Sequence, residues 1–205
     1  MATRLDVVND CLATLGEAPL NTLAEPHEYK ASATRLLDRV NQEIQATGWW
    51  CNTEAITLRP ATSTGYVQLP GDCIKWESGV RSSDALIRSQ AKPWLVQRGT
   101  RLYDTRNRTY AVNEEVTGEL VRLLPFEDLP TILNEYVAAA TVLRFQSDID
   151  ADNSRRQELI QRFTLARIEA RSENIRQLKV NFLNNNPRLG HIKSVTRAAR
   201  RYIGP

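Results

Sequence analysis

The chain comes nearest to reactive chemistry in its carboxylates. The run Asp148-Ile149-Asp150-Ala151-Asp152 has the alternating acids of a calcium-binding loop. Such a loop also needs a glycine at its sixth position and a bidentate glutamate at its twelfth. Asn153 and Leu159 stand there instead, so the ligand set is incomplete. An acidic cluster opening a helix, where it complements the dipole, is the simpler reading. Glu114–Glu115 and Glu127–Asp128 are the pairs available to a polysaccharide or cell-wall hydrolase. Glycoside hydrolysis places two carboxyl groups about 5–9 Å apart across one bond, whereas side chains of adjacent residues usually diverge. His27 and His191 are far apart in sequence, and three histidine or cysteine ligands at metal spacing are not found. Neither HExxH, GxSxG, a P-loop nor GxGxxG occurs. The expectation is a protein with no catalytic residue, metal or cofactor, with the hydrolase as the alternative.

A chain of 205 residues suffices for a sizeable core, and 41% hydrophobic with 25% charged residues is ordinary for a globular chain. No apolar run approaches the roughly 20 residues of a membrane-spanning helix, and the N-terminus MATRLDVVNDCL lacks the apolar stretch of a signal peptide. Cys11, Cys51 and Cys73 are odd in number and widely spaced, which reads as buried thiols in a reducing cytoplasm.

Leu5, Val8, Leu12 and Leu15 predict a first helix, ended by Gly16 and Pro19. Ala33, Leu36, Leu37, Val40 and Ile44 predict a second, ended by Gly48. From Cys51 to Leu124 the short runs ITLRP, GYVQLP and ELVRLLP, broken by Pro, Gly, Ser and Asn, predict a small antiparallel β region. Ile132, Leu133, Tyr136, Ala140 and Leu143 predict a third helix with Asp128 near its N-cap and Pro130 in its first turn. A fourth is predicted from about Asp152 to about Leu183, with Leu159, Phe163, Ala166, Ile168, Ile175, Leu178 and Phe182 as its apolar stripe. The fold class expected is α+β, mainly α: a four-helix bundle (1–50 and 125–183) carrying an inserted β domain (51–124), followed by an extended C-terminal arm (184–205). Trp49 and Trp50 fall where the bundle hands over to the β region. They are expected to stiffen that junction, or simply to serve as a core pair.

The net charge of +3 hides an asymmetry. Beyond Glu173, the last acid, come seven cations with no anion, leaving −4 for residues 1–173. Arg188, Lys193, Arg197, Arg200 and Arg201, with His191 and Tyr202 among them, give the arm its character. Such a segment suits docking to a partner with acidic grooves. Nucleic-acid binding is the competing use of the cations, although the acidic remainder opposes it, and a solubilising tail is the plainest one.

Taken together, VNDCLATLGEAPLNTL ending at Leu23, LLDRVNQEIQATGWWCNTE (36–54), YVQLPGDCIKW (66–76), RGTRLYD (98–104) and VRLLPFEDLP (121–130) resemble the tail tubular protein A family, the head–tail adaptors of short-tailed phages. The resemblance covers about residues 5–147, and the Gly-Trp-Trp helix exit and LPFEDLP are its most specific elements. It implies a ring of twelve subunits between the capsid portal and the tail nozzle protein (tail tubular protein B), with genomic DNA passing through the lumen without specific binding. It also implies tail fibres or tailspikes docking near the adaptor–nozzle junction, and attachment to the portal largely through the C-terminal region. The protein would then sit in the virion neck, with no membrane partner, after synthesis in the host cytoplasm.

Overall fold

The computed structural model describes residues 1–79, 92–149 and 153–178. The class is α+β. Helices α1 (Arg4–Thr14) and α2 (Lys30–Gln45) come first, followed by strands β1 (Thr53–Leu58), β2 (Cys73–Ser78), β3 (Leu95–Arg98), β4 (Arg101–Asp104) and β5 (Val116–Arg122). A 3-10 turn (Phe126–Asp128) then leads into α3 (Thr131–Ile149) and α4 (Asn153–Gln177).

Local chemistry accounts for the helix ends. Thr3 and Asp6 form a capping box at the start of α1: the Thr3 hydroxyl accepts from the Asp6 amide at 3.2 Å, and Asp6 Oδ2 accepts from the Thr3 amide at 2.8 Å. At the other end Gly16 adopts φ +77°, its amide bonds the Ala13 carbonyl, and the Glu17 amide bonds that of Leu12. These are the paired bonds of a Schellman stop. The start of α3 differs from expectation. Asp128 closes the 3-10 turn, Leu129 is extended, and Pro130 directly precedes the helix with its carbonyl accepting from the Asn134 amide at 2.9 Å. A proline costs no hydrogen bond at that point, so the chain turns there rather than two residues earlier.

Helix α3 is the hub, packed against α1, α2 and α4. It is buried around most of its circumference, including Leu133, Val137, Ala138, Ala139, Ala140, Val142 and Phe145. The expected single stripe is therefore too narrow, and Ile132, Tyr136 and Leu143 are only half-buried. The buried face of α1 likewise centres on Val7, Val8, Cys11 and Leu12, with Leu5 and Leu15 half-buried. In α2, Ala33, Leu37, Val40 and Ile44 are buried as expected, and so are Asn41 and Gln45.

Helix α4 departs most from its sequence reading. Among its described side chains only Ala170 is fully buried, while Leu159 and Phe163 are half-buried against the other helices and Ala166 is half-buried. Ile168, Ile175 and Leu178, expected in the core stripe, are exposed. Apolar periodicity shows that a helix has an oily face but not which of two such faces meets the core.

The β region has its own apolar cluster of Leu58, Val67, Leu69, Trp76, Leu95, Leu102, Val116 and Leu120. β5 lies between β1 and β2 in an antiparallel three-stranded sheet, and β3 pairs with β4 in a hairpin turned at Gly99 and Thr100. GYVQLP forms only isolated bridges at Tyr66 and Gln68, although Val67 and Leu69 are buried. Gly118 of β5 is required by close approach. A Cβ there would lie 2.5 Å from the Glu77 carbonyl oxygen and 2.6 Å from the Trp76 ring.

Candidate functional site: the helix–sheet junction

The chain leaves the helices after α2 and returns to them after β5, and both crossings meet in one polar lattice. Gln45 and Asn41 lie one turn apart on α2, joined by Gln45 Nε2 donating to Asn41 Oδ1 at 2.8 Å. Gln45 Nε2 also donates to the Leu124 carbonyl at 2.9 Å, and Gln45 Oε1 accepts from the Leu124 amide at 2.8 Å. The glutamine thus satisfies both backbone groups of one residue on the returning segment.

Asn52 is the second node. Its Oδ1 accepts from the Trp49 amide at 2.8 Å, and its Nδ2 donates to the Arg122 carbonyl at 2.9 Å and the Gln45 carbonyl at 3.2 Å. The Arg122 amide returns a bond to the Asn52 carbonyl at 2.9 Å. Asn52 and Gln45 are almost completely buried, and buried polar groups persist only when so satisfied.

Gly48 makes the turn possible, with φ +80° and its amide bonded to the Gln45 carbonyl at 3.0 Å. Trp49 is buried, and its indole Nε1 donates to the Ile44 carbonyl at 2.7 Å. Its ring stands edge-on to Trp50 with centroids 6.3 Å apart and to Tyr136 of α3 at 6.0 Å. Tyr136 in turn meets Phe163 of α4 at 5.7 Å. The Trp50 amide donates to Asn174 Oδ1 of α4 at 2.9 Å. One aromatic file therefore connects the exit of α2 with α3 and α4.

Outside the lattice, the Arg122 guanidinium bridges Asp72 (2.7 Å) and Glu54 (2.9 Å), tying the segment before β2 to β1. The guanidinium holds the Asp72 carboxyl below the ordinary aspartate range.

The carboxylates considered for hydrolysis are separately engaged: Glu114 with Lys92 at 2.8 Å, Glu115 with Arg59 at 2.9 Å and Glu127 with Arg4 at 3.3 Å. Asp128 is exposed at the end of the 3-10 turn. His27 Nδ1 accepts from the Tyr29 amide at 3.2 Å. Among the described residues no group of three His, Cys, Asp or Glu side chains is arranged to hold a metal ion, and no helix is long and apolar enough to cross a membrane. Asp150 and Asp152 lie outside the described residues, as do the arm residues Arg188, His191, Lys193, Arg197, Arg200, Arg201 and Tyr202.

Sequence reasoning picked out the tryptophans but missed Asn41, Gln45, Asn52 and Asn174. The available signal was the amide pair at i, i+4 on α2, which sits beside an otherwise apolar face.

The family model described as Tail tubular protein matches residues 5–180, a span that takes in all but the first residue of α1 and every other helix and strand given above. A search of curated proteins finds no match.

Proposed function

We propose that this chain, which belongs to the tail tubular protein family, is the head–tail adaptor of a short-tailed phage virion. Copies of it close into a ring of twelve between the capsid portal and the tail nozzle protein, and the genome passes through the lumen. The observation that carries this reading is the family match across residues 5–180, which takes in the helices and the β region together.

The domain plan follows the same reading. Residues 1–50 and 125–183 form a helical bundle, 51–124 an inserted β domain, and 184–205 a basic arm. Two separate apolar clusters support the first division, one drawn from the helices with Trp49 and Phe126, the other from the β region. The lattice of Asn41, Gln45 and Asn52, with Trp49 and Trp50, fixes the angle between the two parts. A subunit that transmits position from head to tail needs such a fixed angle. The β domain faces the nozzle, with fibres or tailspikes nearby, and the role is structural, without catalysis.

The arm reaches the portal through Arg188, His191, Lys193, Arg197, Arg200, Arg201 and Tyr202. Segregated charge supports this assignment, since a lumen wall of net negative charge does not hold DNA phosphates. A chain lacking residues 184–205 is expected to fold yet fail to join DNA-filled heads. Normal attachment of that truncated chain, scored by electron microscopy of the assembled particles, overturns the assignment.

A further inference from the structure

Helix α4 is apolar on two opposite sides. Leu159, Phe163 and Ala170 face the helical core, whereas Ile160, Leu165, Ile168, Ile175 and Leu178 point outward, from 42% exposed at Ile160 to 63% at Leu165. Leu165, Ile168, Ser172 and Ile175 are spaced three, four and three residues apart, the repeat of a helix seam that packs on another surface. An aliphatic band of this length in water marks a place where something docks.

We propose that this outer face of α4 is the surface through which one copy of the chain packs against an acidic surface of the next, which rests on the ring reading above and names its contact. Charge selects the occupant. Residues 153–177 carry six arginines and three glutamates, a net of +3, while residues 1–149 carry 15 Lys and Arg against 19 Asp and Glu, a net of −4. Arg156, Arg167 and Arg171 are exposed and make no ion pair among the described residues. Exposed guanidinium groups of this kind pair well with the carboxylates of a neighbouring body. The chain's own C-terminal end is the alternative cover, but residues 179–205 hold six cations and no acid, so like charge disfavours it on α4. A face of one kind meeting a surface of another is the head-to-tail contact that a closed ring requires.

The test is sedimentation velocity of the full chain up to about 1 mM, the range in which weak association is visible, beside I168D/I175D and R167E/R171E. All four side chains are exposed, so circular dichroism and melting temperature should match those of the wild type. The wild type is expected to self-associate. The isoleucine variant should do so at least about a hundredfold more weakly, and the arginine variant should be weakened in a salt-dependent way. A wild type that stays monomeric, or an isoleucine variant that associates normally, overturns the proposal. An arginine variant that associates normally overturns the acidic counter-surface. Virions built with I168D/I175D separate this proposal from the adaptor reading: intact neck rings would sink the α4 contact and leave the adaptor standing, whereas wild-type chain found elsewhere than the neck would sink the adaptor.

Discussion

Replacing Asn52 with alanine tests the junction directly. The substitution removes the acceptor of the Trp49 amide and the donor to the Arg122 carbonyl, bonds of 2.8 and 2.9 Å. The Gln45 carbonyl loses one of its partners but keeps the Gly48 amide at 3.0 Å. Two backbone groups are thus left without the partner they had. At about 1–3 kcal/mol for each buried group so orphaned, the loss is about 3 kcal/mol. For a chain of this size about 1 kcal/mol lowers the melting temperature by roughly 2–4 °C, so a fall of about 6–12 °C is expected by calorimetry or circular dichroism. Asn52→Asp should cost more, because it keeps the Trp49 acceptor while turning an oxygen toward two carbonyls in a buried site. Gln42, exposed on the same helix, provides the control: Gln42→Ala should stay within about 0.5 kcal/mol of wild type. An Asn52→Ala chain equally close to wild type would refute the claim that this lattice joins the two parts.

Three further expectations follow from the geometry. Gly118→Ala forces a methyl group to within 2.6 Å of the Trp76 ring and 2.5 Å of the Glu77 carbonyl, so it should cost about 1–3 kcal/mol in urea unfolding and shift tryptophan emission. Stability should decline in acid. Thr3 holds Asp6, Arg122 holds Asp72, the Asn107 amide holds Asp104 and Arg144 holds Glu43 below their ordinary values of 3.8 for aspartate and 4.5 for glutamate. A lowered folded-state pKa stabilises fully above those ordinary values and is lost as pH falls through and beneath them, so melting temperature should hold near neutrality and drop below about pH 4. Burial pushes the Cys11 thiol up to about 12, so at pH 8 native Cys11 should resist iodoacetamide while half-buried Cys51 and Cys73 label first, and all three should label in denaturant, as read by peptide mass mapping.

Much of the element order could be read from punctuation and periodicity. Gly16, Pro19 and Gly48 stop helices because left-handed or proline backbones cannot continue them, and Val40 and Ile44 fall on the buried side of α2 for the reason their spacing implies. What stayed hidden depends on contacts distant in sequence. Gln45 and Leu124 are 79 residues apart, and a polar residue at helical spacing gives no sign that its partner is the segment returning after β5. Asn134 is hidden in the same way: its side chain bonds both the amide and carbonyl of Ala2, 132 residues away. On α4 the same rule that located the core elsewhere pointed to the wrong side at Ile168 and Ile175, since this helix carries apolar residues on two faces and only one of them meets the core. Asp128 looked like a cap because side-chain chemistry favours it, but the proline two residues later took the position.

The bonds between Asn52 and Arg122 have an engineering consequence. They bring the first and last residues of the whole β excursion into mutual contact, so some seventy residues depart from and rejoin the helices through a single doorway. A chain spliced at that doorway with a short glycine bridge would leave the helices with their ends already in register. Another sheet of similar footprint could be grafted there without disturbing the helices.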